Sequence, residues 1–231
     1  MDIKVNSKSY KIKKAVTTLL EALTYIQENI EPTLAFDYGC KSGVCGACSV
    51  RVNGNEQLAC SYTPADGDTI EPIRYAKQRR DLLVDKSIAK SLIAKTKATI
   101  HSYKEEVLGV ADEKKSEVQS NCILCSSCYS ACPVVEVKPN FLGPYALTKT
   151  YKYTIDKREG EPKEHIDAIQ SSGIWDCTLC NECTLACPQG IDPKSDIVNL
   201  RNLSASYGYM DPNFSNMGFS GGFGFDPNGG F

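Results

Sequence analysis

The chain has 231 residues, with 26 Lys and Arg against 28 Asp and Glu, a formal net charge of -2, and 12 cysteines. Such an even balance offers no basic field to collect phosphates, which excludes nucleic acid as a partner on charge grounds. The amino terminus MDIKVNSKSYKIKK lacks the apolar core of a signal peptide and no apolar run reaches bilayer length, so the chain is expected not to cross a membrane by itself and to work in a reducing compartment.

IKVNSKSYKI, residues 3–12, alternates as two short strands joined by a turn at NSKS. TTLLEALTYIQENI, residues 17–30, places apolar residues at helical spacing behind a Thr17 or Thr18 cap. CSVRVNG and QLACSY predict a hairpin turning at Asn53-Gly54, and PADGDTIEPI, residues 64–73, adds a turn and a last strand. A small mixed sheet carrying one helix is the expected first lobe. Helical patterns begin with RRDLLVDKSIAKSLIAK, and residues 104–121 read as a charged, solvated connection. Further helices are expected from Pro144 to about Lys157, from His165 to Gln170 with a stop at Gly173, and after Asp192-Pro193. The last stretch, GYMDPNFSNMGFSGGFGFDPNGGF, is glycine with spaced aromatics, a poor helix or strand. It is either a flexible tail or an arm whose Phe side chains fill grooves on a partner.

The cysteines fall in three tight groups, two of them followed by proline, which favours metal over a disulfide scaffold. Cys40, Cys45, Cys48 and Cys60 have the C-x4-C-x2-C…C spacing of a plant-type [2Fe-2S] site. Interleaved glycines in YGCKSGVCGAC let backbone N–H groups turn towards sulfur. Zinc also takes four thiolates, but its paired C-x2-C arrangement is missing here.

CILCSSCYSACP, from Cys122, and CTLCNECTLACP, from Cys177, repeat a C-x2-C-x2-C-x3-C-P pattern. Three cysteines at that pitch fit three corners of a cubane, and in two-cluster ferredoxins the fourth ligand comes from the other run. The expected sets are therefore Cys122, Cys125, Cys128 with Cys187, and Cys177, Cys180, Cys183 with Cys132, each holding [4Fe-4S]. If Cys180 is instead a free thiol, the last site is [3Fe-4S]. His101 and His165 lie among charged residues and read as surface groups, and Trp175 as packing beside the last site. The chain is expected to carry electrons, with substrate chemistry done elsewhere.

A [2Fe-2S] domain followed by two crossed cysteine runs resembles the iron–sulfur subunit of succinate dehydrogenase and fumarate reductase, over roughly residues 1–205. FDYGCKSGVCGACSVRVNG, IEPI with DLLVD after it, FLGP and CPQGIDP carry the likeness along with the cysteines. The resemblance implies an α+β chain. A plant-type β-grasp ferredoxin domain would span 1–100, an all-helical two-cluster ferredoxin domain 101–207, and the Gly/Phe-rich tail 208–231. It also implies an FAD-containing flavoprotein partner at the Cys40 end and a quinone-reactive, membrane-associated partner at the Cys177 end.

Three departures bear on that partner. Cys180 stands where the family's three-iron site has a non-cysteine residue, PVVEVKPN with Val134 and Glu136 replaces the usual serine and tryptophans, and Thr178 replaces a histidine. The set is more similar to members whose third subunit is rich in cysteine-cysteine-glycine motifs, with a methylated menaquinol, a quinone or thiols as redox partner. A soluble thiol:fumarate reductase is the alternative function, and a free ferredoxin or a cluster-stabilised scaffold stands behind it. Association through partners is expected at the cytoplasmic face, or outside if the flavoprotein is exported.

Overall fold

The computed structural model describes residues 1–215. β1 (Asp2–Val5) and β2 (Lys8–Lys11) pair antiparallel around Asn6, and β1 buries Ile3 and Val5 while Asp2 and Lys4 face water. α1 (Leu19–Asn29) starts at Thr18 as a reciprocal cap. The Thr18 hydroxyl accepts the Glu21 N–H at 3.2 Å, and the Glu21 carboxylate accepts the Thr18 N–H at 3.4 Å. The helix lays Leu19, Leu20, Ala22, Leu23 and Ile26 into the sheet's core. Full burial of such a side chain contributes about 1.5–3 kcal/mol.

β3 (Ser49–Val52) and β4 (Asn55–Leu58) form the expected hairpin, with Asn53 (φ 51°) and Gly54 (φ 86°) both left-handed as a two-residue turn of this kind requires. β5 (Thr69–Glu71) slots between β1 and β3, parallel to one and antiparallel to the other. The order β2-β1-β5-β3-β4 gives the mixed sheet. Asp68 leads the chain into β5 from a buried position, accepting from Ala65 N, Tyr62 Oη and Asn53 Nδ2.

RRDLLVD is not helical. β6 (Lys77–Arg80) and β7 (Leu83–Asp85) form a separate hairpin around left-handed Asp81. Asp81 accepts Ala35 N at 2.9 Å and Leu82 N donates to Ala35 O at 3.0 Å, which ties the hairpin to the irregular segment leading to Cys40. The helix begins only at α2 (Ile88–Lys95), whose Ala89 and Leu92 belong to the second core.

The connection holds a helix, α3 (Val110–Ser120), with no buried residue, so its charge pattern was read correctly and its conformation was not. α4 (Ser127–Ser130) and α5 (Pro133–Val137) belong to the first cysteine run of this lobe, and α6 (Pro144–Thr154) follows. α7 (Pro162–Ala168) starts before His165 because Pro162 takes the first turn. α8 (Glu182–Leu185) lies in the second run, α9 (Pro193–Ser206) closes the lobe behind Asp192, and α10 (Pro212–Ser215) is one turn. Phe141, Tyr145, Leu147, Ile166, Ile174, Ile197 and Leu200 fill the core between α6, α7 and α9. α10 places one helical turn in the segment read as a poor helix; the rest of the Gly/Phe stretch lies outside the described residues.

His165 is not a surface group: it is fully buried, with Nε2 3.1 Å from Glu159 Oε2. Glu159 also accepts the N–H groups of His101, Ser102 and Glu161, and these donors win over burial, holding its carboxyl down at about 2.

Candidate metal centres

The loop from Gly39 to Cys48 is a nest of N–H groups facing sulfur. Cys40 Sγ accepts from the Ser42 and Val44 N–H groups, each at 3.4 Å. Cys45 Sγ accepts from Cys40 N at 3.4 Å and Cys60 Sγ from Gly43 N at 3.3 Å. Gly43 (φ 77°) and Gly46 (φ 70°) supply the left-handed turns. A Cβ on Gly46 would stand 2.8 Å from Cys125 Cα, so the two lobes touch backbone to backbone there. Cys40 and Cys45 are exposed while Cys48 and Cys60 are buried. The backbone N–H of Ser42 leads a set of donors that lowers the Cys40 thiol to about 6. Burial pushes Cys48 up to about 11.

The second lobe repeats itself in backbone as well as in spacing. Leu124 (φ 52°) and Ser126 (φ 68°) are left-handed, and so are Leu179 (φ 57°) and Asn181 (φ 79°) at the matching places of the other run. Each pair runs into a four-residue helix, α4 or α8. Four non-glycine residues in this region store strain of the kind that marks a functional loop.

A narrow apolar cavity is lined by Cys122, Cys125, Cys128 and Cys187 together with Ile123, Leu124, Tyr145 and Ile191. Cys187, 59 positions beyond Cys128 in sequence, therefore faces the first run. The Tyr145 hydroxyl is buried without a hydrogen-bond partner among the described residues, an O–H donor free for an acceptor in that cavity. Neighbouring charges sort the thiols the same way. Cys128 is raised by burial first and then by Cys125, Cys122, Cys183 and Cys187. Cys132 is raised by burial, then by Cys177 and Cys180. Cys183 reaches about 12 through burial, with Cys177, Cys132 and Cys180 adding to it. So Cys132 stands with the second run's thiols and Cys187 with the first run's.

Soft thiols around an apolar space, with an orphan donor beside them, fit an iron–sulfur group. Among the described residues, no three His, Cys, Asp or Glu side chains converge tightly enough to hold a single metal ion. Around the Cys177 group, Leu179 N donates to Cys177 Sγ at 3.4 Å, and Arg201 donates to Ile174 O and Cys177 O while lying over the Trp175 ring. Thr178 and Cys180 are exposed.

The cysteine groups are neighbours across the lobe boundary. Ser49 Oγ donates to Cys125 O at 2.7 Å, Gln189 Nε2 to Gly43 O at 2.9 Å, and Arg74 to Ser130 O at 3.0 Å. Lys86 sits at the same junction, with Nζ donating to Gly46 O, Ala47 O and Ser49 Oγ. Sequence reading took Lys86 only as part of the helical stretch RRDLLVDKSIAKSLIAK and gave it no role at the site. Among the described residues no helix is long and apolar enough to cross a membrane.

Residues 2–91 match the family model described as a 2Fe-2S iron-sulfur cluster binding domain, and residues 118–191 match a 4Fe-4S dicluster domain. The fumarate reductase iron-sulfur subunit of Mycobacterium tuberculosis is 33% identical over 82% of this chain and 81% of its own length. The 8-methylmenaquinol:fumarate reductase iron-sulfur subunit of Wolinella succinogenes is 32% identical over 83% of this chain and 65% of its own. A chain of the Mycobacterium smegmatis Sdh1 complex shares the fold, with a TM-score of 0.76 at 23% identity over 90% of this chain and 97% of that one.

Proposed function

The chain belongs to the iron–sulfur subunits of the succinate dehydrogenase and fumarate reductase family, and from that premise we propose how its twelve cysteines divide the work. It is an electron-transfer subunit that relays electrons through iron–sulfur clusters and carries no substrate chemistry of its own. Cys40, Cys45, Cys48 and Cys60 hold [2Fe-2S]. Cys122, Cys125, Cys128 and Cys187 hold one [4Fe-4S], and Cys132, Cys177, Cys180 and Cys183 hold the other. The observation that carries this reading is the exchange of the last thiol, with Cys187 lining the Cys122 cavity and Cys132 facing Cys177 and Cys180.

Bound clusters supply one-electron carriers; the protein orders and insulates them. The Gly46–Cys125 contact sets the first group against the second, and the proximity of Cys183 to Cys128 sets the second against the third. Apolar walls at the middle group exclude water, while the exposed Cys40 and Cys45 at one end and Cys180 at the other leave two faces for partners. The lobes divide near residue 100, with α2 strapping the first to the second and the tail beginning near 208.

An FAD-containing flavoprotein that interconverts succinate and fumarate docks at the Cys40 face, and a quinone-reactive third subunit at the Cys180 face. That subunit is rich in cysteine-cysteine-glycine motifs or is another membrane anchor, and through it the chain is held at a membrane, on the cytoplasmic face or outside it. The Wolinella relative, named for a methylated menaquinol, supports a quinol on this side. Exposed Thr178 and Glu136, where the family's quinone ligands stand, favour thiols as the second reading.

Two measurements test the proposal. Iron-loaded wild-type protein should contain about ten irons per chain, and its oxidised low-temperature EPR spectrum should lack a three-iron signal. Cys180→Ser should gain that signal while the other two clusters persist; identical spectra from both proteins sink the ligand assignment. Affinity purification from the native host should bring down a flavoprotein, and its absence removes the dehydrogenase reading of the partner.

A further inference from the structure

Lys86 is a half-buried cation at the junction of the first and second cysteine groups. Its Nζ lies 2.7 Å from Gly46 O, 2.8 Å from Ala47 O and 2.7 Å from Ser49 Oγ. Gly46 and Ala47 are the two residues between Cys45 and Cys48. The Ser49 hydroxyl has one proton, directed to Cys125 O at 2.7 Å or Gly46 O at 3.0 Å, so towards Lys86 it can only accept. Three acceptors at these lengths use three N–H donors, the full set of an ammonium; a neutral amine has two. A line of donors thus runs from Lys86 Nζ through Ser49 Oγ to the carbonyl of Cys125, from one lobe into the other. Burial pulls the Lys86 ammonium below the usual lysine range, and Cys125, Asp37, Cys48 and Cys45 oppose that pull.

We propose that Lys86 is a positioning and potential-setting residue, whose fixed positive charge stabilises the reduced states of both the Cys40-group and the Cys122-group clusters. This rests on the ligand sets proposed above. Each cluster gains one negative charge when it takes up an electron, and a cation held nearby in a poorly solvated junction favours that state. The three acceptors hold the ammonium in place, and its half-buried position limits screening by water. The same contacts fix the spacing of the two groups, because the acceptors of Lys86 are the backbone of one loop and a hydroxyl bonded to the other.

The test is an EPR-monitored redox titration of the iron-loaded full chain as wild type, Lys86→Met and Lys86→Arg, recorded at temperatures that separate the signals. Lys86→Met keeps the apolar stem and removes the charge. It should shift the midpoints of the [2Fe-2S] and the middle [4Fe-4S] cluster to more negative values, with a smaller shift at the Cys177-group cluster. Lys86→Arg should stay near the wild type. Unchanged near midpoints in Lys86→Met, equal shifts at all three clusters, or an arginine variant that shifts as far as methionine would each overturn the proposal. If Lys86→Met loses iron, Lys86→Gln, which still donates to the loop carbonyls, decides by the same criteria. Iron loss from both neutral variants would make Lys86 a structural latch alone. Failure of the ligand sets themselves shows separately, as a wild-type iron count below about ten.

Discussion

The two lobes expose and bury sulfur in different proportions. In the first, the rim cysteines stand in the open and are served by backbone N–H groups, and Cys40 falls to about 6. In the second, Cys128 and Cys183 are buried among aliphatic and aromatic side chains and their thiols rise, Cys183 to about 12. The cores differ to match. The sheet and α1 enclose Ile3, Leu19, Leu23, Ile26 and Ile70 with Cys48 and Cys60 and leave Cys40 and Cys45 at the rim, whereas the second core takes Cys128, Cys132 and Cys183 as packing groups with Cys122 and Cys177 against it. A thiol held by backbone dipoles can stand outside a fold; a thiol that fills core volume becomes part of it.

Removing iron is the strongest way to break that comparison. Chelation should melt the second lobe, because its cradles need metal to hold buried thiolates and four left-handed non-glycine residues together. The β1–β5 sheet should survive. Far-UV circular dichroism with limited proteolysis reads this: helical signal falls and cleavage concentrates beyond about residue 100. Equal protection of both lobes, or joint loss of both, would remove the distinction.

Gly46→Ala tests whether the lobes depend on close backbone approach. The left-handed backbone alone should cost more than ~1 kcal/mol, and the new Cβ would also meet Cys125 Cα at 2.8 Å. Denaturant unfolding of the iron-loaded chain should show the loss together with separation of the two lobes' transitions. A variant as stable as wild type would mean that the junction is loose.

Asp196 sharpens the picture of the second lobe with a smaller, pH-dependent effect. Burial raises its carboxyl to about 6, against hydrogen bonds from Gln119 Nε2 and Thr148 Oγ1 that pull the other way. An unfolded aspartate sits near ~3.9. Between those values the fold binds the extra proton, so this group's contribution to stability declines as pH rises through the window. From pH 5 to 7 the stability of wild type relative to Asp196→Asn should fall by about 1 kcal/mol. A difference that is flat across that range would place Asp196 in water.

How much of this was legible beforehand depended on whether a residue's partner was near in sequence. The Thr18 cap, the Asn53-Gly54 turn and the Asp192 start of α9 all use partners within a few positions, and all could be read. β6 is exposed at every position, so it had no alternation to read, and α3 buries nothing, so it had no apolar stripe. His165 was misjudged because its shelter comes from Glu159, off the helix, and from the backbone around His101. Lys86 was missed because its acceptors lie about 40 positions upstream, and only folding brings Gly46, Ser49 and Cys125 to it. The proposed exchange of Cys132 and Cys187 as ligands rests on the repeat, and the cavity that Cys187 shares with Cys122, Cys125 and Cys128 supports half of it.

The smallest effect isolates the backbone's contribution to sulfur chemistry in the first lobe. In iron-free chain the Cys40 loop should persist with its sheet, since its donors are N–H groups of the loop itself. Cys40 would then keep a thiol near 6, where a free cysteine sits near ~8.5. Thiolate is the nucleophile, so alkylation of Cys40 by iodoacetamide should reach half its limiting rate near pH 6, while Cys48, at about 11, lags through neutrality. The exposed Cys45 is the internal control for access, because it shares the rim but takes one N–H donor where Cys40 takes two. Peptide mass spectrometry across pH 5 to 9 separates the three sites. A Cys40 profile centred on the free-cysteine value would mean that the N–H groups lose their aim without iron, and that the first lobe, like the second, is shaped by its metal.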